Sequence, residues 1–331
     1  MPSSTSDSNS PALVYAKTLV GICAILIIVL ELCSIRLLKH QSVTYQRISR
    51  QYDDALRVRP SRPGDPPSVL LAGNSLLLHG IEMERFRALT SNRMRIYPLL
   101  LEATGYHDWL YGLRRLFREG ARPQVVVLGV GVNYFMKDGV RQDYVPMLFM
   151  DMRDTLTLGS EMHLDRTATA DLLLSHASTF WDTRSAVRTQ VLSHIVPHLE
   201  ELFAFLTPKP GIPDGSEFET TAISRLRKLR ELCEANGAKL VFLVPPTLAS
   251  ENAVVGIEGA ARRAGVDISV PIDPAGLSAK FYRPDGMHLN NDGAVLFTSA
   301  LARDLPEKII LTNSALAARP RTHARESFAA Y

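Results

Sequence analysis

Cysteine is scarce in this chain: three residues in 331. Cys23 and Cys33 lie in the apolar N-terminal segment, which leaves Cys233 alone in the body. A lone thiol forms no intradomain disulfide, and Cys233 sits in a helical pattern as a small packed hydrophobe. Metal-ligand spacings are missing too. There is no CxxC and no HExxH, and Pro197 between His194 and His198 spoils the one helical histidine pair. No metal or cofactor is expected. Charge of one sign is also lacking. A net charge of +3 does not suit a nucleic-acid binder. Hydrophobic residues make up 46% of the chain, ample for one sizeable core, and the length admits one or two domains.

What is present begins with Val69-Leu70-Leu71-Ala72-Gly73-Asn74-Ser75-Leu76. The apolar run reads as a short buried strand. Gly73 permits a tight turn, and Ser75 follows where a helix starts. A serine at a strand-to-helix turn has an exposed hydroxyl and a free N–H, which suits a nucleophile. A plain N-cap has the same look. Near the other end, Asp285-Gly286-Met287-His288 puts a carboxylate three residues before a histidine. Asp285 can then hold one imidazole nitrogen while the other faces a serine. Asn290 can cap the next helix. Between these ends, Val125 to Val130 is a β-branched strand leading to Gly131-Val132-Asn133, whose amide can donate to an oxyanion. Thr104-Gly105 precedes a helix, and the Gly105 N–H is a second candidate donor or a plain helix-entry turn.

Gly73-Asn74-Ser75-Leu76, Gly105, Gly131-Val132-Asn133 and Asp285-x-x-His288 resemble, in order, the four blocks of the SGNH (GDSL-like) hydrolases. The resemblance covers residues 68–305. It implies Ser75 as nucleophile, His288 as base and Asp285 as the residue that orients it. It also implies an oxyanion hole from the Ser75 and Gly105 N–H groups and the Asn133 amide. Asn74 and Tyr134 stand where the family has Asp, and neither position carries the triad.

The chain divides, on this reading, as follows. Residues 1–11 are a polar, Ser-rich, disordered start. Residues 12–38 form one transmembrane helix, because Thr18 to Leu30 carries no charge and Lys17 can snorkel. No small-x-small cleavage site follows it. Glu31 is the odd acid of this span, and one expectation is that it contacts a helix of a partner membrane protein. Residues 39–67 are a stalk and Pro-rich linker. Residues 68–305 alternate strands and helices, which predicts a three-layer α/β/α domain. Its parallel five-stranded sheet is flavodoxin-like, with order 2-1-3-4-5 implied by the resemblance. Residues 136–215 are a Met-rich helical insertion, either a helical elaboration with adaptable Met packing or a lid or groove that recognises a substrate or partner. A final helix spans 290–303, and 306–331 form a loose tail.

The resemblance implies acyl-ester chemistry on an acyl-ester or glycan substrate. The anchor tilts it towards envelope polysaccharide O-acetylation beside a multi-span acyl-donor membrane protein. A small-ester lipase or thioesterase and a non-catalytic glycan-binding assembly protein are the other readings. Arg36, Lys39, Arg47 and Arg50 after the span favour a cytoplasmic domain. The resemblance favours a periplasmic or extracellular one at the cell membrane.

Overall fold

Valine at three successive positions commits Val125–Gly129 to a strand, since β-branched side chains fit a pleated surface buried on both faces. The same logic holds for Ser68–Gly73, whose six residues are all buried. The computed structural model describes residues 11–196, 215–248, 251–273 and 276–317. The expected disordered start before residue 11, His198 of the histidine pair, and the tail beyond 317 lie outside them. The strands are β1 (Ser68–Gly73), β2 (Arg95–Leu100), β3 (Val125–Gly129), β4 (Lys239–Leu243) and β5 (Asp267–Ser269). All pairs are parallel, in the order β2-β1-β3-β4-β5. The flavodoxin-like α/β sheet is therefore as expected.

The helices are α1 (Pro11–Gln41), α2 (Val43–Leu56), α3 (Ser75–Gly80), α4 (Met83–Thr90), α5 (Tyr106–Arg118) and α6 (Val132–Met136). They continue with α7 (Val145–Leu148), α8 (Met152–Glu161), α9 (Arg166–Ala177) and α10 (Thr179–Ile195). The last are α11 (Gly215–Ala235), α12 (Glu251–Ala264) and α13 (Asn291–Ala317). The expected end of α13 at residue 303 is too early. Leu301, Leu305 and Ile309 are buried in the core cluster at helical spacing. That burial carries the helix through Pro306 and into the expected tail.

The described chain forms two compact units. The sheet unit holds residues 51–139 and the chain from 208 onward. Its core joins strand residues such as Val69, Leu71 and Val127 to Phe86 of α4 and Phe297 of α13. The stalk reading fails for residues 51–67. Tyr52 is buried, with its hydroxyl donating to Glu119 at 3.0 Å, and Ala55 and Val58 are also buried. The Leu100 N–H donates to Gln51. The Gln124 carboxamide accepts the N–H groups of both Ser61 and Ser68. This segment is bound to the sheet unit along its length, so the unit begins at 51 rather than 68.

The other unit groups the chain up to Arg50 with residues 140–207. The insertion therefore belongs with α1. α1 is long and apolar enough to cross a membrane, and almost none of its apolar window is buried. Glu31 has partners within its own chain. Its carboxylate accepts the Ser178 hydroxyl at 2.7 Å and the Thr179 and Phe180 N–H groups at 2.7 and 3.1 Å. These are the cap and first turn of α10 in the same chain, where backbone N–H groups lack intrahelical acceptors. Inside this unit Asp182 is buried and accepts the Tyr144 N–H. Burial pushes its carboxyl up to about 7, against the pull of that N–H.

Candidate active site

The site starts from two glycines in register. Gly73 ends β1, Gly129 ends β3, and the two pair directly. A Cβ on Gly73 would lie 2.4 Å from the Gly129 carbonyl oxygen and 2.6 Å from Leu77. The three atoms nearest a Cβ on Gly129 would all be in the Leu77 side chain, at 2.3–3.0 Å. Leu77 of α3 thus drops onto the strand ends through space that only glycine leaves. α3 is pulled tight to the carboxyl edge of the sheet, between β1 and β3. There the strand order reverses direction, which is where sites form in such sheets.

Asn74 sets the entry to α3. It is fully buried. Its Oδ1 accepts the Leu76 N–H at 3.1 Å, and its Nδ2 donates to the Thr104 carbonyl at 3.2 Å. A carboxylate could do the first and not the second, which accounts for an amide where the resembled family has Asp. Ser75 is the first residue of α3, so its own N–H has no intrahelical acceptor.

His288 comes from a loop fixed by its own backbone. The Arg283 N–H donates to the His288 carbonyl at 2.7 Å, and Tyr282 bridges to Leu289. Gly286 takes a positive φ of 67° to make the turn. Asp285 Oδ1 accepts the N–H groups of Met287 and His288 at 2.8 and 2.9 Å. Its Oδ2 lies 2.7 Å from His288 Nδ1. His288 Nε2 lies 2.9 Å from Ser75 Oγ. A carboxylate only accepts, so the proton sits on Nδ1 and Nε2 is left to accept the serine hydroxyl. Burial alone would raise the Asp285 carboxyl. The His288 N–H, the His288 ring and the Met287 N–H outweigh it, and the group is held below its ordinary value. The structure thus brings Ser75, His288 and Asp285 together across 213 residues of sequence between the serine and the histidine. Asn290 caps α13 as expected, its Oδ1 accepting the Gly293 N–H at 3.0 Å.

Asn133 lies in α6, just past β3. Its Oδ1 accepts the Tyr134 N–H at 3.0 Å, so the Nδ2 group remains to donate. Gly105 is different. Its N–H donates to the Asp108 carboxylate at 2.7 Å, a side-chain acceptor in the first turn of α5. As the structure stands, that N–H is occupied, and Gly105 is corrected out of the free-donor set. Its glycine identity has another cause. A Cβ there would lie 2.4 Å from the Tyr134 carbonyl oxygen, so Gly105 lets α5 pass against α6.

Two further residues lie beside the triad, His79, which the sequence did not single out, and Tyr134, which it named only as a departure from the family pattern. The His79 ring meets the His288 ring edge-on, with centroids 5.5 Å apart. His79 lies four residues after Ser75 on α3, a helix of six residues whose periodicity is too short to mark a face in the sequence. Tyr134 is the second. Burial raises its phenol first, and the nearby Asp285 charge adds to the rise. No group of three or more acidic, histidine or cysteine residues among the described residues is placed to hold a metal.

No family model matches the chain, and no curated protein does. Several solved structures do. An α/β hydrolase, LAE5, from the metagenome of Lake Arreo in Spain is 10% identical with a TM-score of 0.39, covering 72% of this chain and 94% of its own. TesA is 12% identical with a TM-score of 0.38, covering 73% and 99%. A catalytic mutant of Axe2, an acetylxylan esterase from Geobacillus stearothermophilus, is 10% identical with a TM-score of 0.36, covering 73% and 95%. Likeness at these scores carries no functional weight, so the site rests on its own geometry: a hydrogen-bonded Ser75–His288–Asp285 chain at the switch point of a parallel sheet.

Proposed function

We propose that this chain is a membrane-anchored serine acyl-ester enzyme of the SGNH kind, an O-acyltransferase or esterase acting on a cell-envelope glycan. The supporting observation is His288 set between Ser75 Oγ and Asp285 at hydrogen-bond distance on both sides. His288 Nε2 takes the serine proton as Oγ attacks the ester carbonyl. Asp285 stabilises the imidazolium and fixes its tautomer. The Ser75 N–H and the Asn133 amide face the oxyanion. Collapse gives an acyl-serine, and the departing alkoxide takes the proton from His288. An acceptor hydroxyl then gives its proton to His288 and attacks the acyl carbonyl, which frees Ser75. Water as acceptor makes an esterase; a sugar hydroxyl makes a transferase.

The envelope glycan follows from the resemblance together with α1, which is apolar along the length a bilayer needs. On this reading the catalytic unit stands outside the cell and an acyl-donor membrane protein supplies the acyl group. The test is intact-mass analysis of the full chain in detergent after a serine-reactive phosphonate. One adduct, lost in Ser75→Ala, is the expected result. A folded wild-type chain that gains no adduct overturns the reading.

A further inference from the structure

Ala12 to Leu30 spans roughly 28 Å as a helix, at about 1.5 Å per residue. That matches the roughly 30 Å hydrocarbon core of a bilayer. Glu31 is the next residue, so an anchored α1 delivers it to the edge of the hydrocarbon. There it accepts the Ser178 hydroxyl and the Thr179 and Phe180 N–H groups. Whatever depth Glu31 has, the α9–α10 junction shares it. The side chains around that junction suit the depth. Leu174 is 44% exposed, and Phe180 and Trp181 are half-buried. The Arg184 guanidinium lies 4.3 Å over the Trp181 ring, and the Trp181 N–H donates to Asp171 at 2.8 Å. An indole with an apolar ring, a polar N–H that is satisfied and an arginine beside it is the chemistry of the lipid headgroup region.

We infer that the α9–α10 junction seats in the lipid–water interface of the membrane that α1 spans, tethered there by Glu31. The occupant of its exposed apolar surface is the headgroup and upper acyl region of the bilayer. Three donors on one carboxylate make the tether strong where water is thin. The insertion is thereby a membrane-seated collar on the anchor. This inference rests on the reading of α1 as a membrane span and is independent of the acyl-ester chemistry.

The chain contains two tryptophans, and Trp109 is fully buried in the sheet unit. Trp181 therefore reports the junction. The full chain is reconstituted in phosphatidylcholine–phosphatidylglycerol vesicles carrying nitroxide lipids, with the label either near the headgroup or deep in the acyl chain. The expected result is quenching by the shallow label at least twofold greater than by the deep label, absent from Trp181→Phe. Glu31→Leu and, more weakly, Ser178→Ala lower the shallow quenching. A chain that floats with vesicles but shows no lipid quenching at Trp181 overturns the inference alone. A chain that does not float overturns the anchor reading and the inference together. Shallow quenching undiminished in Glu31→Leu overturns the tether.

Discussion

At the scale of single residues, hydrogen-bond polarity decides what each side chain does. Asn74 must donate to the Thr104 carbonyl as well as accept from the Leu76 N–H. Asn74→Asp keeps the cap and turns an oxygen on a carbonyl in a fully buried site. The expected loss is about 2–4 kcal/mol of stability, read as a lower urea midpoint. Asn74→Ser, which keeps a capping oxygen without a carboxylate, should lose less. Asp285 carries the pH argument. Its folded value lies below its ordinary one, so its contribution to stability is fully present above the unfolded value and is lost as pH falls through the folded one. The stability gap between wild type and Asp285→Asn should be flat above about pH 5 and close below about pH 4. The same variant would donate to His288 Nδ1, moving the ring proton to Nε2. Phosphonate labelling of Ser75 should then slow on the order of 10³–10⁴-fold. Much of this scale was legible in the sequence. A serine after an apolar strand and a D-x-x-H spacing name the three residues. The misassigned donor was Gly105, whose N–H is taken by Asp108 three residues downstream, an acidic residue in the first helical turn. His79 was missed because a helix of six residues gives too little periodicity to define a face.

At the scale of elements, the placement of α3 depends on Gly73 and Gly129 unequally. A methyl on Gly73 meets a backbone oxygen, which moves only with its strand. A methyl on Gly129 meets the Leu77 side chain first, with its three nearest atoms all there. Gly73→Ala should therefore cost more stability than Gly129→Ala, with about 1–3 kcal/mol typical of overpacking. Adding Leu77→Ala should relieve the methyl clash at Gly129 and leave that at Gly73, and Ser75 labelling should follow the same order. A double-mutant cycle with thermal melts checks this: coupling near zero for the Gly129–Leu77 pair would refute the packing account. β1, β3 and β4 were legible because they are short apolar runs, each stopped by a glycine or a proline, whereas β5 (Asp267–Ser269) has one apolar residue, Ile268. The length of α13 was not, because Pro306 reads as a stop and the burial of Leu305 and Ile309 shows only in three dimensions. The insertion gave a helical pattern but not its partner. Its packing against α1 includes a carboxylate, Glu31, that lies 147 residues from its partner Ser178.

At the scale of the whole molecule, the sequence placed the boundary of the sheet unit at the last proline of the linker, and the structure places it earlier. Proline-rich composition signals an extended chain; it does not say whether that chain is free or bound. Here Gln124 holds the backbone at Ser61 and Ser68, and the Arg122 N–H reaches the Val58 carbonyl at 3.0 Å. Upstream, Tyr52, Ala55 and Val58 are buried. Burial of one tyrosine, one valine and one alanine is worth about 3–5 kcal/mol, and the Gln51 and Tyr52 hydrogen bonds add about 1 kcal/mol each. A chain truncated to begin at 68 gives up all of this, and the Leu100 N–H at the end of β2 loses its acceptor. A chain that begins at 51 retains it. The 68-start chain should unfold at markedly lower urea, with a loss of roughly 4 kcal/mol or more, and should label at Ser75 more slowly because β2 leads into the loop that carries Thr104 and Gly105. Equal midpoints for the two chains would return residues 51–67 to the role of a free linker.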